Sequence, residues 1–288
     1  MPNTVMNIRT LGSISALLAA ALLSSGCEKL RARDNLNRGV NAFKNAKYAD
    51  AVTAFKQAVD YDPDFHVARL YLATAYRSQY IPGAESEENK QLAKKAMEEF
   101  MNVYKSDPKS KLAIQSIASL HYDEAMGFTA LEDKFKKLDE AGEWHKKLLA
   151  IDPNAKESYY TLGVIGWAKT YPIQKKARNE MKMKDEEMGP LKDKKVLAQL
   201  QERNTPIVDE GIAAMRKAID VDKEYDDAMA YLNLLLRVKS DIASSPAEAK
   251  ALINEAENWV TKALEVKKIK AARQPAQTGI IQEADEKK

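Results

Sequence analysis

One phrase recurs along this chain of 288 residues. Ala51-x3-Phe55-x2-Ala58-x4-Pro63 returns as Ala96-x3-Phe100-x2-Val103-x4-Pro108 and as Ala141-x3-His145-x2-Leu148-x4-Pro153. Looser copies follow as Gly211-x3-Met215-x2-Ala218-x4-Lys223 and Ala256-x3-Val260-x2-Ala263-x4-Lys268. A phrase repeated at this scale makes the chain a stack of similar units, each too small to bury its apolar face alone. The spacing within the phrase is helical. Gly is scarce, at 11 residues, and runs of Val, Ile and Thr are few, so the units are expected to be all-α.

Charge sets further bounds. Lys and Arg number 45 against 42 Asp and Glu, a net charge of +3, which gives no basic footprint for nucleic acid. The three histidines, His66, His121 and His145, do not pair at ligand spacing, and Cys27 is the only cysteine, so no metal site is expected. The chain contains neither G-x-x-x-x-G-K nor G-x-S-x-G. Gly163-x-x-Gly166 reads as close helix packing, and Asp220-x-Asp222-x-Glu224-x-Asp226 as a capped, solvated corner lacking the turn glycine of a calcium loop. The expectation is a non-enzyme without cofactors.

Cys27 sits directly after an apolar stretch, 11–23, and the small residues Ser24-Ser25-Gly26, with Arg9 near the start. This layout resembles a bacterial lipoprotein signal, although Ser24 stands where that family prefers Leu. The resemblance implies removal of 1–26, lipid on Cys27, and a short tether over 27–34 that reaches at most about 25 Å if extended. Glu28, rather than Asp, after the cysteine implies a place in the cell envelope at the periplasmic face of the outer membrane.

The phrase itself, with Gly39 twelve residues before Ala51, Leu72-Ala73-x2-Tyr76 after the first Pro, and Leu162-Gly163, resembles the tetratricopeptide repeat (TPR) over about 35–268. The implied fold is a right-handed superhelix of about five helix–turn–helix repeats. Gly39, Ala73, Ala118 and Gly163 are the small positions, and Phe55, Phe100 and Met215 the large ones that plug the seams. His145 departs from the pattern, and Trp144 is expected to pack in its place. Pro63, Pro108 and Pro153 are expected to stop their helices.

Successive prolines lie 45 residues apart, and Pro153 to Lys223 spans 70, against a unit of ~34. The excess falls between the two helices of a repeat, which predicts lengthened helices joined by loops. Pro82-Gly83 and the caps Ser86, Thr129-x-x-Glu132, Ser245-x-x-Glu248 and Thr205-Pro206 mark expected boundaries. The largest insertion, 171–204, carries nine Lys or Arg with six acids and reads as a solvated helical hairpin or a contact arm. The tail, 269–288, is polar.

In this family the first helices line the concave face. The resemblance places Leu70, Tyr71, Thr74, Gln115, Ser119, Tyr160, Val164, Trp167 and Tyr231 in a partner-binding groove. Leu36, Val40 and Tyr71 replace the polar clamp of the chaperone-binding subtype. The expectation is a lipid-anchored scaffold for a protein or peptide partner in envelope assembly or secretion. An accessory subunit of a cell-wall enzyme and a structural spacer are the alternatives.

Overall fold

The structure, a computed structural model, describes the backbone of residues 8–184 and 187–273, with side chains from residue 26 onward. Most of the signal-like segment and of the polar tail therefore lies outside the described residues. The described chain is all helix and divides into two compact units, Met1–Ile151 and Asp152–Lys288. The first holds α1 (Ile8–Lys44), α2 (Tyr48–Tyr61), α3 (His66–Arg77), α4 (Glu87–Ser106), α5 (Lys111–Gly127) and α6 (Leu131–Ile151). The second holds α7 (Lys156–Glu180), α8 (Lys194–Val221), α9 (Asp226–Asp241) and α10 (Pro246–Arg273). In each unit consecutive helices pack as antiparallel pairs, the helix–turn–helix plan of TPR proteins.

The pairs are keyed by volume. Phe55 is fully buried, and a methyl group on Gly39 would come within 2.4 Å of its ring. Met215 is likewise buried, and a methyl group on Gly163 would lie 2.5 Å from it. Phe100 fills the equivalent place against Ala73, Ala96, Ile117 and Leu120. Gly166 meets Gly211 one turn along the same interface, so the glycine pair is helix packing.

Where the pairs turn, Asp is the agent more than Pro. Phe65, Ser110, Ala155 and Tyr225 donate backbone N–H bonds of 3.0, 3.0, 3.1 and 3.1 Å to the carbonyls of Asp62, Asp107, Asp152 and Asp222. At three of these corners the Asp carboxylate also accepts from the N–H two residues on. The Asp222 corner forms with Lys223 in the proline position. The fifth copy has Lys267 where the others have Asp, and there α10 runs on unbroken to Arg273. Lys270 then pairs with Asp226 and Arg273 with Glu224, so the start of the expected polar tail is docked helix. Asp222 itself pairs with Lys156 at 2.7 Å, so cations from α7 and α10 compensate the acidic corner.

The insertions lengthen helices as expected, but unequally. α3 keeps 12 residues; its excess lies in a loop and in the 20 residues of α4. Asn89 holds that loop through bonds of 2.8 to 2.9 Å with the backbone of Ile81 and Ala84. Gly83, at φ 82°, presses against Gly127. Ser86 caps α4 by accepting from the Asn89 N–H. Ser245 and Glu248 cap α10. Thr205-Pro206 starts nothing: α8 begins at Lys194, capped by Asp193, and passes through Pro206. The 27–34 segment is also helical, as part of α1.

His145 occupies the large-residue seam position, at 4% exposure. No rotation brings Trp144 into that place. Trp144 instead packs edge-on against Tyr104 at 4.8 Å. Burial holds the His145 imidazole down at about 4, so it is neutral at pH 7.

Phe55→Ala is expected to destabilise the first unit by about 3–5 kcal/mol, and Gly39→Ala by about 1–3 kcal/mol through overpacking. In chemical denaturation the double variant should be less destabilised than the sum, because the smaller residue 55 leaves room for the methyl group. Strict additivity would show that the two positions do not share one space.

His145 gives the chain a pH dependence of known sign. Its folded value lies below that of the unfolded chain, so stability is lost as pH falls from about 6.5 towards about 4, by up to roughly 3 kcal/mol. His145→Leu should flatten this part of a stability-versus-pH curve. An unchanged slope would mean that the imidazole is not held neutral.

Candidate functional site

The expected groove residues fall into two sets, one in each unit. In the first unit, α3 carries Leu70, Tyr71 and Thr74. Tyr71 lies against Phe55 with ring centroids 5.3 Å apart, and the Thr74 hydroxyl donates to the Leu70 carbonyl at 2.7 Å. On α5, Gln115 is exposed and Ser119 half-buried. Leu36 and Val40 pack against the core formed by α2 and α3.

The second unit gathers its set more tightly. Tyr160 and Trp167 on α7 both meet Tyr231 of α9 edge-on, at 5.5 and 5.9 Å. The contacts continue at both ends, through Tyr160 to Tyr225 at 5.3 Å and through Trp167 to Tyr171, stacked at 4.8 Å. The result is an aromatic ladder of five rings. Val164 is 7% exposed and packs beneath this surface, so it is not available to a partner as a groove residue would be.

At the Tyr171 end the ladder opens on a cavity of about 240 Å³. Trp167, Tyr171, Leu234, Val238 and Ile253 give it apolar walls, and Met188 and Arg237 stand at the loop side. Its base is a clasp. The guanidinium of Arg178 donates to Asp241 at 2.5 Å and to the carbonyls of Lys184 and Glu187 at 2.7 and 2.6 Å. The Leu191 N–H donates to the Asp241 carbonyl at 2.9 Å. The inserted segment is thus tied to α9. It also has its own core, with Ala177, Met183, Leu191, Leu200 and Ile242 buried together. It is a packed extension of the α7–α8 hairpin, not a solvated arm.

Burial pushes the Asp241 carboxyl up to about 6, even though Arg178 pulls the other way. At the opposite end of the ladder, burial and then the nearby Glu157 push the Tyr225 hydroxyl up to about 12. The hydroxyl next to Asp241, that of Ser240, is committed to the Arg237 carbonyl at 2.7 Å. Among the described residues no cluster of His, Cys, Asp and Glu is arranged to hold a metal. His121, 3.0 Å from Glu140, belongs to an ion-pair network that Lys137 closes with Glu124 and Glu140. The arrangement suits contact with a partner through stacking and apolar burial.

No protein-family model and no curated protein matches the chain. The solved structures that resemble it include crystal structures of MamA. One is 17% identical with a TM-score of 0.53, covering 85% of this chain and 97% of that one. Another, MamA from residue 41 to its end from Desulfovibrio magneticus RS-1, is 16% identical with a TM-score of 0.52, covering 83% and 96%. At such identities the likeness concerns the fold.

Arg178→Met would leave Asp241 buried without its partner and release two loop carbonyls. It should cost about 3–5 kcal/mol. Asp241→Asn keeps an oxygen for Arg178 and should cost less. The folded value of Asp241 lies above its unfolded value of 3.8, so this group favours folding at low pH and loses that contribution as pH rises from about 4 through about 6. Wild type should therefore gain on the Asn variant between pH 7.5 and pH 5 in thermal melts. An Arg178→Met protein that melts no lower than the Asn variant would show that the clasp does not hold the loop.

Proposed function

We propose that this chain is a non-catalytic scaffold that binds an extended peptide segment of a partner protein along the α7–α9 ladder. The observation that carries this reading is the unbroken chain of four aromatic contacts that links five rings from Tyr225 to Tyr171. Tyr and Trp bury large rigid areas at low entropic cost and dominate the energetics of protein interfaces. Pairs of packed helices supply a stable support for such a face. The helices are lengthened at the ladder's end, which extends the available surface beyond a unit of ordinary length.

The proposal also places the chain in a bacterial cell envelope, held by lipid on Cys27 at the periplasmic face of the outer membrane, with a role in assembly or secretion. The support is the lone cysteine after an apolar, small-residue stretch, together with its exposure on α1.

Two measurements test the two halves. Peptides selected from a displayed library of random dodecamers should lose roughly thirtyfold or more in affinity on Tyr160→Ala/Trp167→Ala, as expected for anchors worth about 2 kcal/mol, while the helical content stays intact. Peptides that bind the double variant equally well would remove the ladder from the reading. For the anchor, intact mass of membrane-extracted protein should show an acylated Cys27 as the first residue, and Cys27→Ser should shift the protein to the soluble fraction. An unmodified thiol on a processed chain would end the lipid proposal and leave the scaffold untouched.

A further inference from the structure

We propose that the cavity at the end of the ladder takes one bulky apolar side chain of the partner peptide, and that Arg237 holds the carboxylate of an acidic residue next to it. This rests on the ladder being a peptide-binding face, and it adds the chemical class of the segment bound.

Size argues for a single residue. A volume of about 240 Å³ is below the roughly 300–1,000 Å³ typical of pockets for drug-sized ligands. The walls decide what kind. Trp167 and Tyr171 form a stacked platform, and Leu234, Val238 and Ile253 close the other sides, so an aliphatic or aromatic side chain fits.

The charges around the cavity then specify its neighbour. Arg178 is committed to Asp241, Glu187 to Lys192 at 2.6 Å, and Lys175, also in the lining, lies near enough to Asp241 to act on its carboxyl. Arg237 has no carboxylate partner among the described residues. Its Nε donates to Asn233 Oδ1 at 2.9 Å, which fixes the guanidinium plane, and its Nη1 faces the thioether of Met188 at 3.6 Å. A thioether is a weak acceptor, so the guanidinium is oriented while no carboxylate among the described residues compensates its charge. A planar fork in that state is suited to a carboxylate. The far end of the ladder carries both signs, with Glu157 and Asp227 near Tyr225 and the Lys156 ammonium 5.2 Å from its ring. An acidic residue on the peptide is thus favoured at the Trp167 end, beside Arg237.

The probe is the same random dodecamer library selected on the full chain, followed by fluorescence anisotropy with synthetic winners carrying an amidated C-terminus. Winners should carry Asp or Glu adjacent to Leu, Ile, Met or Phe. Changing that acid to its amide should weaken binding about tenfold. Arg237→Gln should weaken the parent peptide by a similar factor and leave the amide peptide no worse, because both changes remove one contact. Arg237→Lys should restore part of the loss. Winners that lack an acid, that ignore Arg237→Gln, or that need a free C-terminal carboxylate would overturn this inference. If such winners still fail on Tyr160→Ala/Trp167→Ala, the ladder reading stands. Winners indifferent to the ladder, or none at all, would overturn both.

Discussion

Two helix pairs, α1–α2 and α7–α8, depend on one steric constraint, the fit of a large side chain into the space left by a glycine. Gly39 under Phe55 and Gly163 under Met215 leave no spare volume. Such contacts bring two backbones closer than any other residue pair would allow, and they fix the level at which the helices cross. Once α7 and α8 are locked at Gly163–Met215 and Gly166–Gly211, the antiparallel register carries forward along the hairpin. Continuing it sets Gln174 opposite Asn204, two buried amides without hydrogen-bond partners among the described residues. Two buried amides without partners at one level of an apolar seam cost stability.

The lengthened hairpin is what makes the cavity possible. Beyond the glycine crossing, α7 and α8 are long enough to bury a separate apolar cluster, and the loop between them folds back onto α9. Arg178 satisfies two loop carbonyls and one buried carboxylate at once. That economy explains how a loop of irregular backbone can lie against the fold without exposing a row of unpaired polar groups.

Much of this was legible in the sequence, and the failures have physical causes. Small and large seam positions were visible because packing at a helix crossing restricts residue volume strictly. The corner turns were visible through Pro63, Pro108 and Pro153, yet the determinant is the preceding Asp, since Asp222 makes the same turn before Lys223. Thr205-Pro206 misled because proline is tolerated within a long helix when packing elsewhere holds it. The resemblance named three of the five ladder residues, Tyr160, Trp167 and Tyr231, but not Tyr171 or Tyr225, and Val164 proved to lie beneath the surface. Arg178 was missed because it sits among many cations. One signal was available: Tyr160, Trp167, Tyr171, Lys175 and Arg178 continue a single helical stripe straight through Pro172. Asp241 could not have been found this way, because its partner is 63 residues distant.

The helix α1 carries a different consequence. Cys27 lies within it, and Ala32, five residues on, is already fully buried. At about 1.5 Å of rise per residue, less than 10 Å of helix separates the thiol from the packed body. A helix this short between two points resists both bending and twisting. Anything attached at Cys27 would therefore receive azimuth as well as position from the first unit, and the unit could not swivel freely about its attachment. The usual gain of a flexible leash, a wide sphere of search, is exchanged for a narrow one in which the same face is always presented.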